Sequence, residues 1–254
     1  MKFEIVCTAT LRPELLFKTF QSFNYYFFKG NIGDYDLIIN IDMVGVKDED
    51  NQRAELAGVI SVINQFKFKN IILRWTEKPN FATAWFWAMT QLSEPLVFYL
   101  EEDWLLLQKV NLSKMLEEFH NDDTLAHLRL SNFDSSNHTC KNWNKFTSWN
   151  GRYFEVEGDD KFAIGWCGHP GFTRTNFIRQ AISVMNYAAN PEKQIKGKRY
   201  PCRMNNLLLD NRFGVFTTPN NNKQIIDIGR KWMIDNGFQK KGNKAFFTTW
   251  ERTS

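Results

Sequence analysis

The sequence predicts an α/β protein built on a mostly parallel β-sheet with helices on both faces. Three observations lead to this prediction. Short apolar segments alternate with amphipathic helical segments through residues 1–107. The apolar segments are almost continuously hydrophobic, which is typical of strands buried on both faces of a parallel sheet. Polar and acidic residues directly follow several of these segments, at the edge of the sheet where folds of this class bind ligands.

The first half of the chain is predicted to contain four strands and three helices. The strands are expected at residues 3–9, 34–42, 70–75 and 95–100. The helices are expected at residues 13–28, 53–66 and 80–92, where apolar side chains recur at helical spacing. Pro13 suits the first turn of its helix, and Asn80 suits the N-cap of the third helix.

The second half is less regular. A helix is expected near residues 110–120 and a strand at 125–132, and a second helix at 176–187. Between them, residues 133–160 are polar and aromatic, with too few aliphatic side chains for a core of their own, so this region is predicted to form hairpins or a binding loop. Because no repeat and no clear linker interrupts the chain, residues 1–254 are interpreted as a single domain.

Composition limits the classes of function that are possible but does not identify the function. The chain has 254 residues, of which 43% are hydrophobic, and this is ample for one large core. The net charge of +4 and a pI near 8.8 favour anionic ligands but do not by themselves indicate nucleic-acid binding. We find neither a signal-peptide pattern nor an apolar run of about 20 residues, so a soluble, cytoplasmic protein with free thiols is expected.

Three adjacent carboxylates end the fourth predicted strand in the segment PLVFYLEEDWLLL: Glu101, Glu102 and Asp103. One interpretation is a solvated turn whose acids favour the N-terminus of a following helix. The other is a site for a hard cation such as Mg²⁺ or Mn²⁺, which takes carboxylate and phosphate oxygens as ligands. The position of the acids at the carboxyl end of a central strand favours the metal site.

These features resemble the GT-A nucleotide-sugar glycosyltransferases, in particular the family 2-like members. The similar motifs are EED (101–103), CTATLRP (7–13) and NFATAWFWAM (80–89). Ala82 stands where that family usually has glycine, and the resemblance covers about residues 3–107. It implies a Rossmann-like GT-A sheet, with residues 1–107 binding the nucleotide sugar and residues 108–254 forming the acceptor half and the C-terminal tail.

The resemblance implies a metal-dependent glycosyltransferase that moves a sugar from a nucleotide diphosphate, with a UDP-sugar as the first expected donor. Asp103 would bind Mn²⁺ or Mg²⁺, which offsets the charge that develops on the leaving diphosphate. Asp227 lies where the family places a late metal ligand, although it is also a candidate partner for Arg230. The implied donor-binding residues are Thr10, Arg12, Asp42 against the base, Asn80, Glu101 facing the ribose, and Glu102.

An inverting transferase also needs a general base for the acceptor hydroxyl. The resemblance implies Glu192 for this role, and Asp160 with its neighbour Asp159 is the alternative. A retaining enzyme would need neither. In the segment GWCGHPGF, Trp166 and His169 are candidate acceptor-binding residues, because sugars stack on aromatic rings, but the tryptophan is equally suited to core packing.

Two further groups of residues have more than one interpretation. His138, Cys140, Cys167 and His169 form a legitimate zinc set by type, but the pairs are spaced by a single residue, which favours scattered loop residues over a chelate. The basic segment at residues 193–203 is suited to phosphate contacts or to a solvated loop.

Alternative functions remain open from the sequence. The acceptor is a saccharide or, given the basic pI and the aromatic residues, the hydroxyl of a modified DNA base. A nucleotidyltransferase would also need metal and phosphates, but no glycine-rich, Lys-terminated phosphate loop follows the first strand. An inactive nucleotide-sugar-binding module on the same fold is the third alternative. The donor sugar, the stereochemical outcome and the oligomeric state are not determined.

Overall fold

The computed structural model describes residues 1–46, 51–132, 147–196, 202–217, 223–242 and 248–252. Strands β1 to β5 are Phe3–Thr10, Leu37–Asp42, Ile71–Thr76, Leu96–Glu101 and Trp104–Leu106. Strands β6 to β10 are Leu125–Leu130, Thr147–Trp149, Phe154–Val156, Gly171–Arg174 and Arg212–Phe216. Strands β11 to β13 are Ile225–Asp227, Phe238–Gly242 and Thr248–Arg252.

The helices match those expected in the first half within a few residues. Helices α1 to α4 are Pro13–Tyr26, Gln52–Gln65, Phe81–Thr90 and Leu112–Asn121. Helices α5 to α8 are Thr175–Ile182, Pro191–Ile195, Cys202–Asp210 and Gly229–Asp235. Pro13 opens α1, and the side chain of Asn80 caps α3 by accepting from Thr83 N at 3.1 Å. None of the helices in the described ranges has the length and apolarity to cross a bilayer.

A nine-stranded mixed sheet organises the chain, in the order β3-β2-β1-β4-β9-β6-β10-β8-β7. Strands β1 to β4 are parallel to one another, as expected, whereas the unexpected short strand β5 pairs antiparallel with β11. Strand β9 runs antiparallel between β4 and β6 and joins the two halves of the sheet. The α/β class with a Rossmann-like first half is confirmed, while the antiparallel neighbours come from the irregular second half.

Helices cover both faces of this sheet. One core lies under α1, α2 and α4, and the other lies under α3, α5, α6 and α7. Phenylalanine rings fill the first core: the ring centroid of Phe98 lies 4.9 Å from that of Phe27 and 5.0 Å from that of Phe172. The high phenylalanine content therefore serves packing, since such aromatic pairs add to the energy of burial.

The close approach of β9 to β6 depends on Gly171. A Cβ atom at this position would lie 2.5 Å from Arg129 Cα and 2.6 Å from Leu128 O, and both of these are backbone atoms that cannot turn away. Because β9 joins the two halves of the sheet, Gly171 fixes how the loop before it enters the site region.

We expect Gly171→Ala to lower the free energy of unfolding by about 2 kcal/mol or more, because overpacking against backbone forces the two strands apart. Urea unfolding measures the change. Gly165→Ala is the matched control, since a Cβ there would meet the Phe213 ring at an ordinary 3.4 Å. Equal losses in the two variants would contradict the steric explanation.

Candidate functional site

Several of the polar residues singled out in the sequence converge at the carboxyl edge of the parallel strands. Thr10 at the end of β1 lies opposite Asp42 at the end of β2. Glu101 ends β4 and lies opposite Thr8 of β1. The parallel register alone therefore brings the candidate donor-binding residues together, as expected for the ligand-binding edge of an α/β sheet.

The guanidinium group of Arg12 is held between two of the three adjacent acids. It forms a buried ion pair with Glu102, whose Oε1 also accepts from Arg12 Nε at 3.0 Å and from Thr10 Oγ1 at 2.8 Å. Its Nη2 contacts Asp103 Oδ2 at 2.9 Å. Burial on its own would lower the pKa of Arg12, but the charges of Glu102 and Asp103 raise it above its ordinary value.

Asp103 lies under the chain segment that follows β11. Its carbonyl oxygen accepts from Ile228 N at 2.9 Å, and a Cβ on Gly229 would lie only 2.0 Å from Asp103 Oδ2, so only glycine leaves room for this carboxylate. Burial raises the pKa of Asp103 to about 6, and the nearby charges of Glu102 and Asp227 add to the increase, although Arg12 opposes it. Glu102 and Asp103 thus share the single positive charge of Arg12.

Asp227 is brought beside Asp103 by the pairing of β11 with β5, in which Asp227 lies opposite Trp104. Its Oδ1 accepts from Gly229 N at 2.8 Å, and Arg230 Nε lies 3.2 Å from its Oδ2. Arg230 is 89% exposed at its side chain, so solvent screens this pair and it contributes little. Both interpretations of Asp227, as a neighbour of Asp103 and as a partner of Arg230, therefore agree with its contacts.

The donor set of Asp103 and Asp227 fits a divalent cation. Hard cations such as Mg²⁺ use one or two carboxylates together with substrate phosphates, and Glu102 and Asp103 here share the single positive charge of Arg12. Within the described ranges, no three His, Cys, Asp or Glu side chains are grouped so as to enclose a metal ion. A cation at Asp103 would therefore take its remaining ligands from a diphosphate.

Asp42 is the last residue of β2 and lies at the same carboxyl edge of the sheet, opposite Thr10. Its Oδ1 accepts from Asn40 Nδ2 at 3.0 Å and from Thr76 Oγ1 at 2.9 Å. Burial raises the pKa of Asp42, and these hydrogen bonds, together with one from the backbone of Asn80, oppose the increase. Asn80 thus contacts Asp42 through its backbone, while its side chain caps α3. The sequence indicated no role for Thr76.

Glu101 and Glu192 lie on either side of Gly168. Glu101 Oε1 accepts from Tyr99 Oη at 3.1 Å, and a Cβ on Gly168 would lie 3.2 Å from the same oxygen. Glu192 Oε1 accepts from Gly168 N at 3.4 Å and from Lys196 Nζ at 2.6 Å. Burial would raise the pKa of Glu192, but Lys196 and these hydrogen bonds outweigh it and lower the pKa, so its carboxylate is ionised at neutral pH.

His169 follows Gly168 in the chain and contacts Trp104, the residue after the acidic motif Glu101–Asp103. Its ring packs edge-on against Trp104 with the centroids 4.9 Å apart, and Nε2 lies 3.4 Å from Asn132 Nδ2. Burial lowers the pKa of His169 to about 3, with the charge of Arg129 as a further cause, so the ring is neutral. Its Nδ1 has no hydrogen-bond partner among the described residues.

Trp166 is buried rather than presented to a ligand. It is 1% exposed and packs against Trp85 and Tyr99, with centroid distances of 5.8 and 6.3 Å. This environment corresponds to the packing interpretation, and a sugar does not reach the ring in this conformation. The expectation that Trp166 binds the acceptor is therefore corrected.

The remaining candidates lie elsewhere or outside the described residues. Asp160 ends the short turn Gly158–Asp160. This turn continues into the π-helical segment Lys161–Gly165, which packs on α7 and β10. The other candidate base, Glu192, lies instead beside Gly168. His138 and Cys140 of the zinc set are outside the described residues, as is part of the basic segment at 193–203. Gly229 was missed as a site residue, although it follows the candidate ligand Asp227 by two positions in the sequence.

We expect Asp103→Asn to raise the free energy of unfolding by roughly 1–3 kcal/mol at about pH 8, and to change it little below about pH 4. The pKa of about 6 exceeds the ordinary value of 3.8, so the folded protein binds this proton more tightly than the unfolded chain does. Ionisation of Asp103 therefore costs stability as the pH rises between these values, and asparagine removes that cost.

Urea unfolding at the two pH values measures this difference, with Asp34→Asn, an exposed carboxylate remote from the site, as the control. A variant no more stable than the wild type at about pH 8 would show that Arg12 fully neutralises Asp103.

Comparison with family models and with curated proteins found no match to the sequence. Solved structures do match. The chain superposes on S. aureus TarS with a TM-score of 0.55 at 11% identity, covering 93% of this chain and 38% of that one. It superposes on TarS 1-349 in complex with UDP-GlcNAc with a TM-score of 0.52 at 12% identity, covering 89% and 58% of the two chains.

A third similar structure is the mannosyltransferase PcManGT from Pyrobaculum calidifontis, solved in complex with GDP-Man and Mn²⁺. Here the TM-score is 0.52 at 8% identity, with 86% of this chain and 55% of that chain covered. This chain thus spans less than two thirds of the length of each of these structures. At such identities the likeness establishes the fold alone, and that fold is the GT-A-like fold of glycosyltransferases.

Proposed function

We propose that this chain is a glycosyltransferase that moves a sugar from a nucleotide diphosphate to an acceptor hydroxyl, with a divalent cation bound at Asp103. The observation that carries the proposal is that two largely buried carboxylates, Glu102 and Asp103, share the single positive charge of Arg12 just after β4, at the carboxyl edge of a GT-A-like sheet. The similar structures include complexes with UDP, with UDP-GlcNAc, and with GDP-Man and Mn²⁺, which supports a nucleotide-sugar donor.

The donor would lie along the edge formed by residues 1–107. Asp42, fixed by Asn40 and Thr76, would accept a base N–H. Thr10 and Glu102 hold the Arg12 guanidinium, which would lie near the diphosphate. Mn²⁺ or Mg²⁺, held by Asp103 with Asp227, would supply Lewis-acid stabilisation of the leaving diphosphate.

The acceptor would approach from the side formed by residues 108–254. Glu192 is ionised and accepts from the backbone N–H of Gly168, the residue before His169, so we take it as the better of the two candidate bases. A general base must be unprotonated and within hydrogen-bond reach of the hydroxyl that it activates. Neutral His169 borders the same region and is proposed to contribute to acceptor binding.

An inactive nucleotide-sugar-binding module is the second candidate function. The specific observation in its favour is that Arg12 already contacts both Glu102 and Asp103, so part of the acidic motif is internally paired. Binding without turnover would separate this candidate from the transferase.

We expect a nucleotide sugar to stabilise the protein only together with Mn²⁺, because each partner offsets the charge of the other. Thermal denaturation with UDP-, GDP- and CMP-sugars, with and without Mn²⁺, tests this and identifies the base. A ligand at about 100 times its Kd adds roughly 2.7 kcal/mol of stability. Asp103→Ala should lose the shift and Asp34→Ala should keep it.

If no nucleotide sugar with Mn²⁺ changes the melting temperature, the donor site is wrong. A shift that persists in Asp103→Ala would place the cation elsewhere. A shift without sugar transfer or donor hydrolysis would identify the binding module.

We expect Glu192→Gln to lower kcat by roughly 10²–10⁴-fold, the range for loss of a general base, while donor binding stays unchanged. The matched control is Lys193→Gln, an exposed neighbour on the same helix. Initial rates and donor titration, measured side by side, separate the two quantities. Unchanged kcat would remove Glu192 as the base and would favour a retaining mechanism or another group.

A further inference from the structure

The outer edge of β3 is unusually open. β3 is the first strand in the sheet order, and within the described ranges no strand pairs with its outer side. Ile71, Ile72 and Trp75 are 39%, 44% and 53% exposed. Proteins normally protect such an edge with charged residues, proline or a bulge. β3 contains one charged residue, Arg74, and its guanidinium lies over the Trp87 ring at 5.4 Å.

The hydrogen-bond pattern shows which backbone groups of β3 face outward. Leu37 N donates to Asn70 O at 2.9 Å, and Met43 N donates to Thr76 O at 3.2 Å. The carbonyl groups of Asn70 and Thr76 therefore point toward β2. Since these groups alternate along a strand, those of residues 71, 73 and 75 point away from the sheet.

We propose that β3 pairs antiparallel with β3 of a second copy of this chain, about a two-fold axis normal to the sheet. In this register Leu73 lies opposite Leu73 of the other copy, and Ile71 lies opposite Trp75. Every directly opposed pair of this set presents outward-facing backbone groups, so each exchanges two hydrogen bonds. The same two-fold axis places Ile71, Leu73 and Trp75 of both copies on one face.

Charge selects this register over its neighbours. Extending the pairing beyond the strand ends brings Glu77 opposite Lys69 of the other copy, and the symmetry makes this contact twice. Both side chains are exposed, so they are accessible for an ion pair between the two copies. A shift of two residues in one direction sets Arg74 opposite Arg74, and like charges directly opposed are destabilising. A shift in the other direction shortens the ladder and sets Trp75 opposite Lys69.

Packing is also consistent with two copies. Leu73 is half-buried and packs against the core under α1, α2 and α4. Ile71 and Trp75 share its face of the strand, so pairing would continue that apolar surface across the two-fold axis. Thr76 of the same strand donates to Asp42 at 2.9 Å. The dimer would thus support the strand that fixes the candidate base-binding carboxylate, whether or not the chain is a transferase.

A charge exchange tests the register. Analytical ultracentrifugation of the full chain should show a concentration-dependent dimer. Lys69→Glu and Glu77→Lys should each weaken it about tenfold, because each creates two like-charge contacts, and the double variant K69E/E77K should recover it. Lys114→Glu, an exposed change on α4 with the same charge difference, should leave the dimer unchanged.

Hydrogen exchange gives a second, local measurement. The amides of Ile71, Leu73 and Trp75 should be protected at high protein concentration and exchange faster on dilution or in Lys69→Glu. A monomer at every concentration up to about 100 µM would overturn the proposal. So would a dimer that neither single charge change weakens, or one that the double variant fails to recover.

Discussion

The buried ion pair between Arg12 and Glu102 is the contact on which the arrangement of the candidate site depends. It ties the turn after β1 to the end of β4, and Thr10 completes it with a hydrogen bond to the same carboxylate. Burying two charges costs much of what their attraction contributes, so such a pair adds little net stability. Its consequence is positional: Arg12, held by Glu102, also contacts Asp103 and so keeps that carboxylate against Gly229.

This arrangement explains why three acids can stand next to one another in the sequence. Their side chains enter three different environments. Glu101 faces Tyr99 and Gly168, Glu102 is neutralised by Arg12, and Asp103 lies under the segment after β11. Neighbouring residues at a strand end point in different directions, so adjacency in the sequence does not mean contact among the three carboxylates.

The sequence predicted the features that depend on neighbouring residues, but not those that depend on contacts between residues far apart in the sequence. Strands β1 to β4 and helices α1 to α3 were predicted within a few residues because their signals, such as Pro13 and the Asn80 cap, are local, whereas β5 was missed because it pairs with the distant β11. The insertion of β9 between β4 and β6 rests on pairings distant in the sequence, and on a close approach that only Gly171 allows. For Trp166 the sequence left two interpretations open, because composition does not distinguish a ring that packs in a core from one that stacks on a sugar, and its burial favours packing.

The charge balance of the site also constrains the order in which ligands bind. Glu102 and Asp103 share one buried guanidinium, and Asp227 lies near Asp103, where its charge adds to the effect of burial in raising the pKa of that carboxyl. A diphosphate on its own would add negative charge beside these carboxylates, and a cation on its own would find only two carboxylates, one of them already shared with Arg12. Each ligand therefore lowers the electrostatic cost of binding the other, so the two are expected to bind cooperatively. Donor and cation are thus expected to bind jointly, and Asp103 with Asp227 would hold the cation while Arg12 stays paired with Glu102.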